Sequence, residues 1–299
     1  MRQIRLLVGA LLAGVAAAGA QLPTGEQLLV TSAWLSAHLN DRDLVLLHVG
    51  RPEEYATAHI AGARFAEQRD FASDEMPMLE MLPEAQLRQN LERNGIGDQT
   101  RVVVVFGPGS VDNATRLYFT LGYAGLGTRA LFLDGGLAAW QRAGNPVTAV
   151  VPPAPTAAHY TGKMLPAAVV NSQQVVALQH AVQPRLIDAR ASVYFSGPKT
   201  AMMAQGHIPG AINIPYSSLV DDAEQLLPRA ALLEKFTAAG VRPGDSLVVY
   251  CHIGQQATVV LLAARVLGHP VQLYDGSFHD WSNRKLPTDN ASASAKRAP

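Results

Sequence analysis

The residues best suited to chemistry lie in one stretch, Val248-Val249-Tyr250-Cys251-His252-Ile253-Gly254-Gln255-Gln256-Ala257. It holds the only cysteine of the 299-residue chain. A β-branched run leads into Cys251, a short loop follows, and an apolar helical pattern runs from Gln255 to Leu267. The thiolate is the reactive form of cysteine, and a helix N-terminus lowers its pKa. The first N–H groups of a helix have no partner within it, and the helix dipole adds positive potential. Strand, nucleophile, loop and helix start therefore make a site for a sulfur anion. Gly254 lets the loop turn without a Cβ clash, and Gln255 and Gln256 add donors without charge. A free cysteine is just as readily a small buried hydrophobe, so the rest of the chain has to decide.

The elements that would position Cys251 occur twice. His59-Ile60-Ala61-Gly62-Ala63 matches His207-Ile208-Pro209-Gly210-Ala211, and Leu82-Pro83 matches Leu227-Pro228. Asn94-Gly95-Ile96 ahead of Val102 to Val105 matches Ala239-Gly240-Val241 ahead of Leu247 to Val249. Asp134-Gly135-Gly136 with Trp140 matches Asp275-Gly276-Ser277 with Trp281. The offset drifts from 148 to 145 to 141, so small length differences sit in loops. A repeat this long implies two similar domains, not a solenoid.

In each half, short apolar runs predict buried strands: Leu44 to Val49, Val102 to Phe106 and Ala130 to Leu133, then Arg185 to Ala189, Leu247 to Cys251 and Val271 to Tyr274. Helical patterns lie between them at Pro83 to Asn94, Asn113 to Gly122, Arg229 to Ala239 and Gln255 to Leu267. Alternating strands and helices imply an α/β fold, a mainly parallel sheet in each half with helices on both faces. Ligands in such sheets bind at the carboxyl ends of strands, where Cys251 falls. The expected organisation is a first domain over 31–148, a Pro-rich linker over 149–168, a second domain over 169–288 and a flexible tail over 289–299.

Hydrophobic residues make up 48% and charged residues 16%, enough for a large core. The formal net charge of zero offers no electrostatic case for nucleic acid or an anionic membrane surface. Arg2 and Arg5, the apolar run Leu6 to Ala18 and the small residues Ala18-Gly19-Ala20 fit a cleavable signal peptide over residues 1–20. Export to the periplasm or beyond is expected, with the mature chain starting at Gln21 and no membrane attachment after cleavage. One cysteine allows no internal disulfide, so an exported chain has some reason for keeping a free thiol. No metal-ligand cluster and no Gly-rich phosphate loop is visible, so no cofactor and no metal is expected.

These motifs resemble the tandem-domain rhodanese family, the thiosulfate and 3-mercaptopyruvate sulfurtransferases. The resemblance rests on Leu186-Ile187-Asp188-Ala189-Arg190, then Gly206 to Pro215, the Cys251 loop, and Tyr274-Asp275-Gly276 with Trp281, and covers roughly Thr31 to Pro287. It implies two tandem rhodanese-like domains and a ping-pong sulfur transfer. Cys251 would take the outer sulfur of a small donor as a persulfide and pass it to a thiol or cyanide. The amides of His252, Ile253, Gly254, Gln255, Gln256 and Ala257 would bind the anion. The first half, with Phe106 in place of Cys251 and His48 and Gly50 in place of Asp188 and Arg190, would be a non-catalytic scaffold. A monomer is expected.

Arg190 either binds the anionic part of a donor, which a guanidinium suits, or pairs with Asp188, which would then orient backbone or Arg190 itself. His59 and His207 recur in both halves and read as hydrogen-bonded turn residues. A protonated His252 would attract a dianion and lower the thiol pKa. The chain also departs from the family. The arginine found four residues after the Asp-x-Arg element is Tyr194 here, and the loop carries neither the Arg or Lys of thiosulfate-preferring members nor the Gly-Ser of mercaptopyruvate-preferring ones. Arg190, Lys199 and His252 are the candidate replacements. Dual-specificity phosphatases of this fold place an arginine six residues after the cysteine, where this chain has Ala257. A persulfide-holding carrier module without turnover is the alternative function; a redox role lacks a resolving cysteine.

Overall fold

Strand-forming runs of Val, Leu and Ile alternate with helices throughout the computed structural model, which describes residues 22–75, 80–179, 183–197 and 206–290. The leader, Lys199 and residues 291–299 lie outside the described residues. The first half comprises β1 (Leu29–Val30), α1 (Ser32–His38), β2 (Leu44–Val49), α2 (Pro52–Thr57), β3 (Arg64–Phe65), α3 (Glu84–Arg93), β4 (Arg101–Phe106), α4 (Val111–Tyr123), β5 (Ala130–Leu133) and α5 (Gly136–Arg142). The second comprises β6 (Val169–Val170), α6 (Ser172–Leu178), β7 (Arg185–Asp188), α7 (Ser192–Ser196), β8 (Ile212–Asn213), α8 (Arg229–Ala238), β9 (Leu247–Tyr250), α9 (Ala257–Leu267), β10 (Val271–Tyr274) and α10 (Ser277–Asn283).

Each half forms one parallel five-stranded sheet, ordered β1-β5-β4-β2-β3 and β6-β10-β9-β7-β8. The central strands carry continuous aliphatic runs because both of their faces are covered. Val102, Val103, Val104 and Val105 are wholly buried. Alternate side chains divide between two faces. Val103 and Val105 face a core within the first half, and Val248 and Tyr250 one within the second. Val102, Val104, Val249 and Cys251 belong instead to a single core shared by both halves, together with the apolar faces of α4 and α9. Cys251 thus sits at the end of a strand, on the side of its sheet that faces the other half.

The boundary follows the repeat. Thr115 Oγ1 of α4 meets Thr258 Oγ1 of α9 at 2.8 Å. Leu226 N–H donates to Asp134 at 3.1 Å, and Met81 N–H to Asp275 at 2.8 Å. Trp140 and Trp281 each donate an indole N–H to a carbonyl six residues on, Pro146 and Pro287. Residues 149–165 form neither helix nor strand, yet Tyr160 is buried there, its hydroxyl donating to Ala124 O at 2.7 Å. The segment lies along the first half and is not a free spacer.

The first half keeps an anion site at its own loop. Glu224, at φ +58°, reaches from the second half and accepts from Gly109 N–H at 2.6 Å and Ser110 N–H at 3.3 Å, just ahead of α4. A carboxylate at a helix N-terminus is stabilising. Replacing Glu224 with Gln should lower stability by about 1 kcal/mol, since the bonds are charge-assisted but half-exposed. Urea unfolding measures this, and an unchanged midpoint would count against an interdomain role for the carboxylate.

Candidate active site

The carboxyl end of β9 places Cys251. Tyr250 pairs in register with Asp188 of β7, so Cys251 follows beside Ala189. It is 1% exposed. The loop after it has its carbonyls turned outward. Cys251 O accepts from Phe278 N–H at 3.0 Å, and His252 O from His279 N–H at 2.9 Å, both amides at the start of α10. Gln255 O accepts from the Thr258 hydroxyl at 2.6 Å. Gly254 O lies 3.5 Å from Arg116 Nη1, a long contact from the other half. With these carbonyls held outside, the N–H groups of Ala257, Ile253 and Gly254 are directed at the sulfur. Cys251 N–H itself donates to Ser277 Oγ at 3.2 Å. Gly254 adopts φ +85°, and a Cβ there would stand 2.7 Å from Asp275 O, so this position takes only glycine.

The helix after the loop starts at Ala257, later than the apolar pattern implies, which leaves Gln255 and Gln256 in the turn. Gln255 Nε2 donates to Asn113 Oδ1 at 2.6 Å across the domain boundary. Gln256 lies beside Tyr216. Of the six residues expected to bind the anion, Ile253, Gly254 and Ala257 aim amides at sulfur, while the Gln255 side chain holds α4.

Three sequence expectations change. Burial pushes the Cys251 thiol up, and the three amides that would lower it only oppose this; Asp188 adds to the rise. The loop's donors are present, but loss of water outweighs them in the resting thiol. His252 is not a cation. Burial, with the charge of Arg190, pushes it down to about 4, and its ring stands edge-on to Tyr194 at 4.8 Å. Arg190 is fully buried. It pairs with Asp188 at 2.5 Å, donates to Gly206 O at 2.6 Å and lies 3.9 Å over the Phe278 ring. The pairing alternative is the one observed, so Arg190 supports the loop from below. Lys199, the third candidate cation, lies outside the described residues. His59 and His207 do hold turns, donating to Tyr55 O at 2.7 Å and Phe195 O at 2.9 Å. Among the described residues no cluster of metal-ligating side chains occurs.

Sequence reasoning missed Arg116, Asn113 and Tyr216. Only Arg116 carried a signal, a lone cation within the apolar helix pattern of the first half. In that half, His48 at the position of Asp188 is also buried, and burial followed by His59 pushes it down to about 4.

His48 and His252 are thus neutral when folded, and when unfolded titrate near 6.5. Between about pH 6.5 and 4 the unfolded chain binds more protons, so stability falls as pH falls. The urea midpoint should decline across that window, and His252→Gln should flatten part of the decline. An unaltered slope would mean that His252 is charged in the fold.

Comparison with known proteins agrees with this geometry. The rhodanese-like domain model matches twice, over residues 31–143 and 171–284. The chain is 30% identical over 276 residues to the 3-mercaptopyruvate sulfurtransferase of Escherichia coli, covering 87% of this chain and 97% of that protein. It is 26% identical over 257 residues to the thiosulfate sulfurtransferase of Azotobacter vinelandii, covering 86% and 94%. A crystal structure of an Escherichia coli 3-mercaptopyruvate enzyme with the rhodanese fold superposes with a TM-score of 0.73 at 27% identity, over 84% of this chain and 98% of that one. Two matched domains, relatives spanning nearly their full lengths and a cysteine at the end of the second domain's central strand lead to one assignment: the chain belongs to the rhodanese family.

Proposed function

We propose that the chain is a sulfurtransferase that moves a sulfane sulfur from thiosulfate or 3-mercaptopyruvate to a thiophilic acceptor such as cyanide or a thiol, through a persulfide on Cys251. The observation that carries this reading is the convergence of three loop amides on the sulfur of the only cysteine. Thiolate Sγ attacks the outer sulfur of the donor, and the S–S or S–C bond of the donor breaks. With thiosulfate the electron pair leaves on sulfite; with 3-mercaptopyruvate it leaves on the pyruvate enolate, which takes up a proton. The acceptor then attacks the outer persulfide sulfur, and the electron pair returns to Sγ as thiolate. Covalent capture divides the transfer into two easier displacements.

Negative charge rests on sulfur before and after each displacement, in the place the loop amides already face. A preorganised donor of this kind contributes on the order of 3 kcal/mol where one has been removed from an oxyanion site. The buried Asp188–Arg190 pair holds α10 through Phe278 and keeps the loop's carbonyls engaged. Thiosulfate should add one sulfur atom to the intact protein, and Cys251→Ser should abolish both this gain and thiocyanate formation from cyanide. Transfer by the serine variant would end the proposal. A persulfide that neither cyanide nor thiols discharge would favour the carrier alternative, and rates with thiosulfate against 3-mercaptopyruvate identify the donor.

We also propose export, on the strength of Arg2, Arg5, the apolar run to Ala18 and the small residues ending at Ala20, and a monomer in solution. N-terminal sequencing of the protein from a periplasmic fraction should begin at Gln21, with monomeric mass by light scattering. A retained leader in a membrane fraction would count against export.

A further inference from the structure

Two of the bonds that dock the halves form a symmetric pair, at Asp134 and Asp275, and the two aspartates differ in their second partner. Asp134 accepts from the Leu226 amide at 3.1 Å and the Gln225 side chain at 3.0 Å. Its counterpart Asp275 accepts from the Met81 amide at 2.8 Å and from Arg116 Nη1 at 2.5 Å. The meeting of Thr115 with Thr258 sets the helix register, so the counterpart of Arg116 on α9 is Val259. At this position only the first half carries an arginine; the arginine of α9, Arg265, crosses elsewhere, over the Tyr118 ring and to Pro23 O at 2.7 Å. Arg116 is 2% exposed and Asp275 7%.

Those two side chains stand together against Gly254. A Cβ at Gly254 would meet Asp275 O at 2.7 Å, Asp275 Oδ1 at 3.1 Å and Arg116 Nη1 at 3.3 Å. The carbonyls of Cys251, His252 and Gln255 are held from within the second half, by α10 amides and by Thr258. The Gly254 carbonyl is held from the first half. That contact fixes the peptide between Gly254 and Gln255, and the close packing of Asp275 and Arg116 against the Gly254 Cα holds the residue at φ +85°, the turn that sets the direction of its own N–H, one of the three aimed at sulfur.

We propose that Arg116, supplied by the half without a cysteine, is a positioning residue for the Cys251 loop, seating Gly254 against Asp275 so that its amide stays aimed at sulfur. This rests on the reading of Cys251 as the reacting sulfur. The role differs from a plain domain strut, because it acts on how the loop holds an anion and not only on how firmly the halves adhere. The titratable and charged groups about the Cys251 loop are Asp188, Arg190, Tyr216, His252 and the Arg116–Asp275 pair; changing Arg116 alone leaves Asp275 uncompensated, which a second change at Asp275 removes.

The test follows the rate of Cys251 alkylation by iodoacetamide against pH, alongside steady-state sulfur transfer to cyanide and thermal melting. Arg116→Gln should move the alkylation midpoint to higher pH and lower kcat about tenfold, with KM within about twofold, since the affected amide stabilises charge on sulfur. Arg116→Lys should restore part of both. Arg116→Gln with Asp275→Asn leaves no buried unpaired charge, so it should fold where a single variant fails, and should show the same alkylation shift. Variants that melt lower but keep the wild-type midpoint and kcat would reduce Arg116 to a strut and overturn the proposal. Absence of sulfur transfer by the unsubstituted protein would defeat the sulfurtransferase reading, while the alkylation midpoints would still decide the role of Arg116.

Discussion

A sulfur anion at 1% exposure has lost its water and needs hydrogen bonds in its place. A six-residue turn cannot direct its amides inward unless its carbonyls are satisfied outside, because every buried peptide group needs a partner. Much of the second half serves that second requirement. The first amides of α10 take the carbonyls of Cys251 and His252, and Thr258 takes that of Gln255. Gly254 passes beneath Asp275, where a side chain has no room. Arg190 lies over Phe278, the residue whose amide holds the Cys251 carbonyl, and also donates to Gly206 in the repeated His-Ile-Pro-Gly-Ala element. One anion thereby organises elements from β7 to α10.

The same physics is used differently in the first half. Phe106 stands where Cys251 stands, and the loop after it is two residues longer before the matched threonines, Thr115 and Thr258. Its free amides at Gly109 and Ser110 are still an anion site, and Glu224 of the other half occupies it. The counterpart of the thiolate cradle serves as a docking socket. The absence of a nucleophile leaves the site's preference for negative charge in place, since that preference comes from backbone and helix.

The repeat made the fold legible. Leu44 to Val49, Ala130 to Leu133 and Val271 to Tyr274 are strands with the bounds their apolar runs imply, because a parallel strand covered on both faces is mostly apolar along its length. The loop and its cysteine were legible for a similar reason, as a local sequence of strand, nucleophile, glycine and helix. What sequence could not supply is burial, and burial reverses two electrostatic expectations. It raises the Cys251 thiol and keeps His252 neutral. Arg190 presented both a donor-binding and a pairing role to sequence reasoning, and only its complete enclosure with Asp188 separates them. Arg116 lies 135 positions before Cys251 in the chain, and no local pattern links residues that meet only when the halves dock.

The charge balance around sulfur bears on how the site can tell donors apart. Asp188 and Arg190 cancel at close range, and His252 contributes no charge near neutral pH. A fixed cation 4 Å from a donor would be worth about 4 kcal/mol per charge at an effective dielectric of 20, and so would separate a dianion from a monoanion strongly. Among the described residues the Cys251 loop presents no such cation, because Arg190 is engaged with a carboxylate and Arg116 is likewise paired with Asp275. Discrimination therefore falls to the shape of the half-buried rim, where Tyr194 meets His252 and Tyr216 lies beside Gln256. The position of Tyr194 is the one at which well-studied relatives carry an arginine. An aromatic ring there exchanges a long-range attraction for a short-range contact, which selects by fit and leaves the amides alone to hold the charge on sulfur.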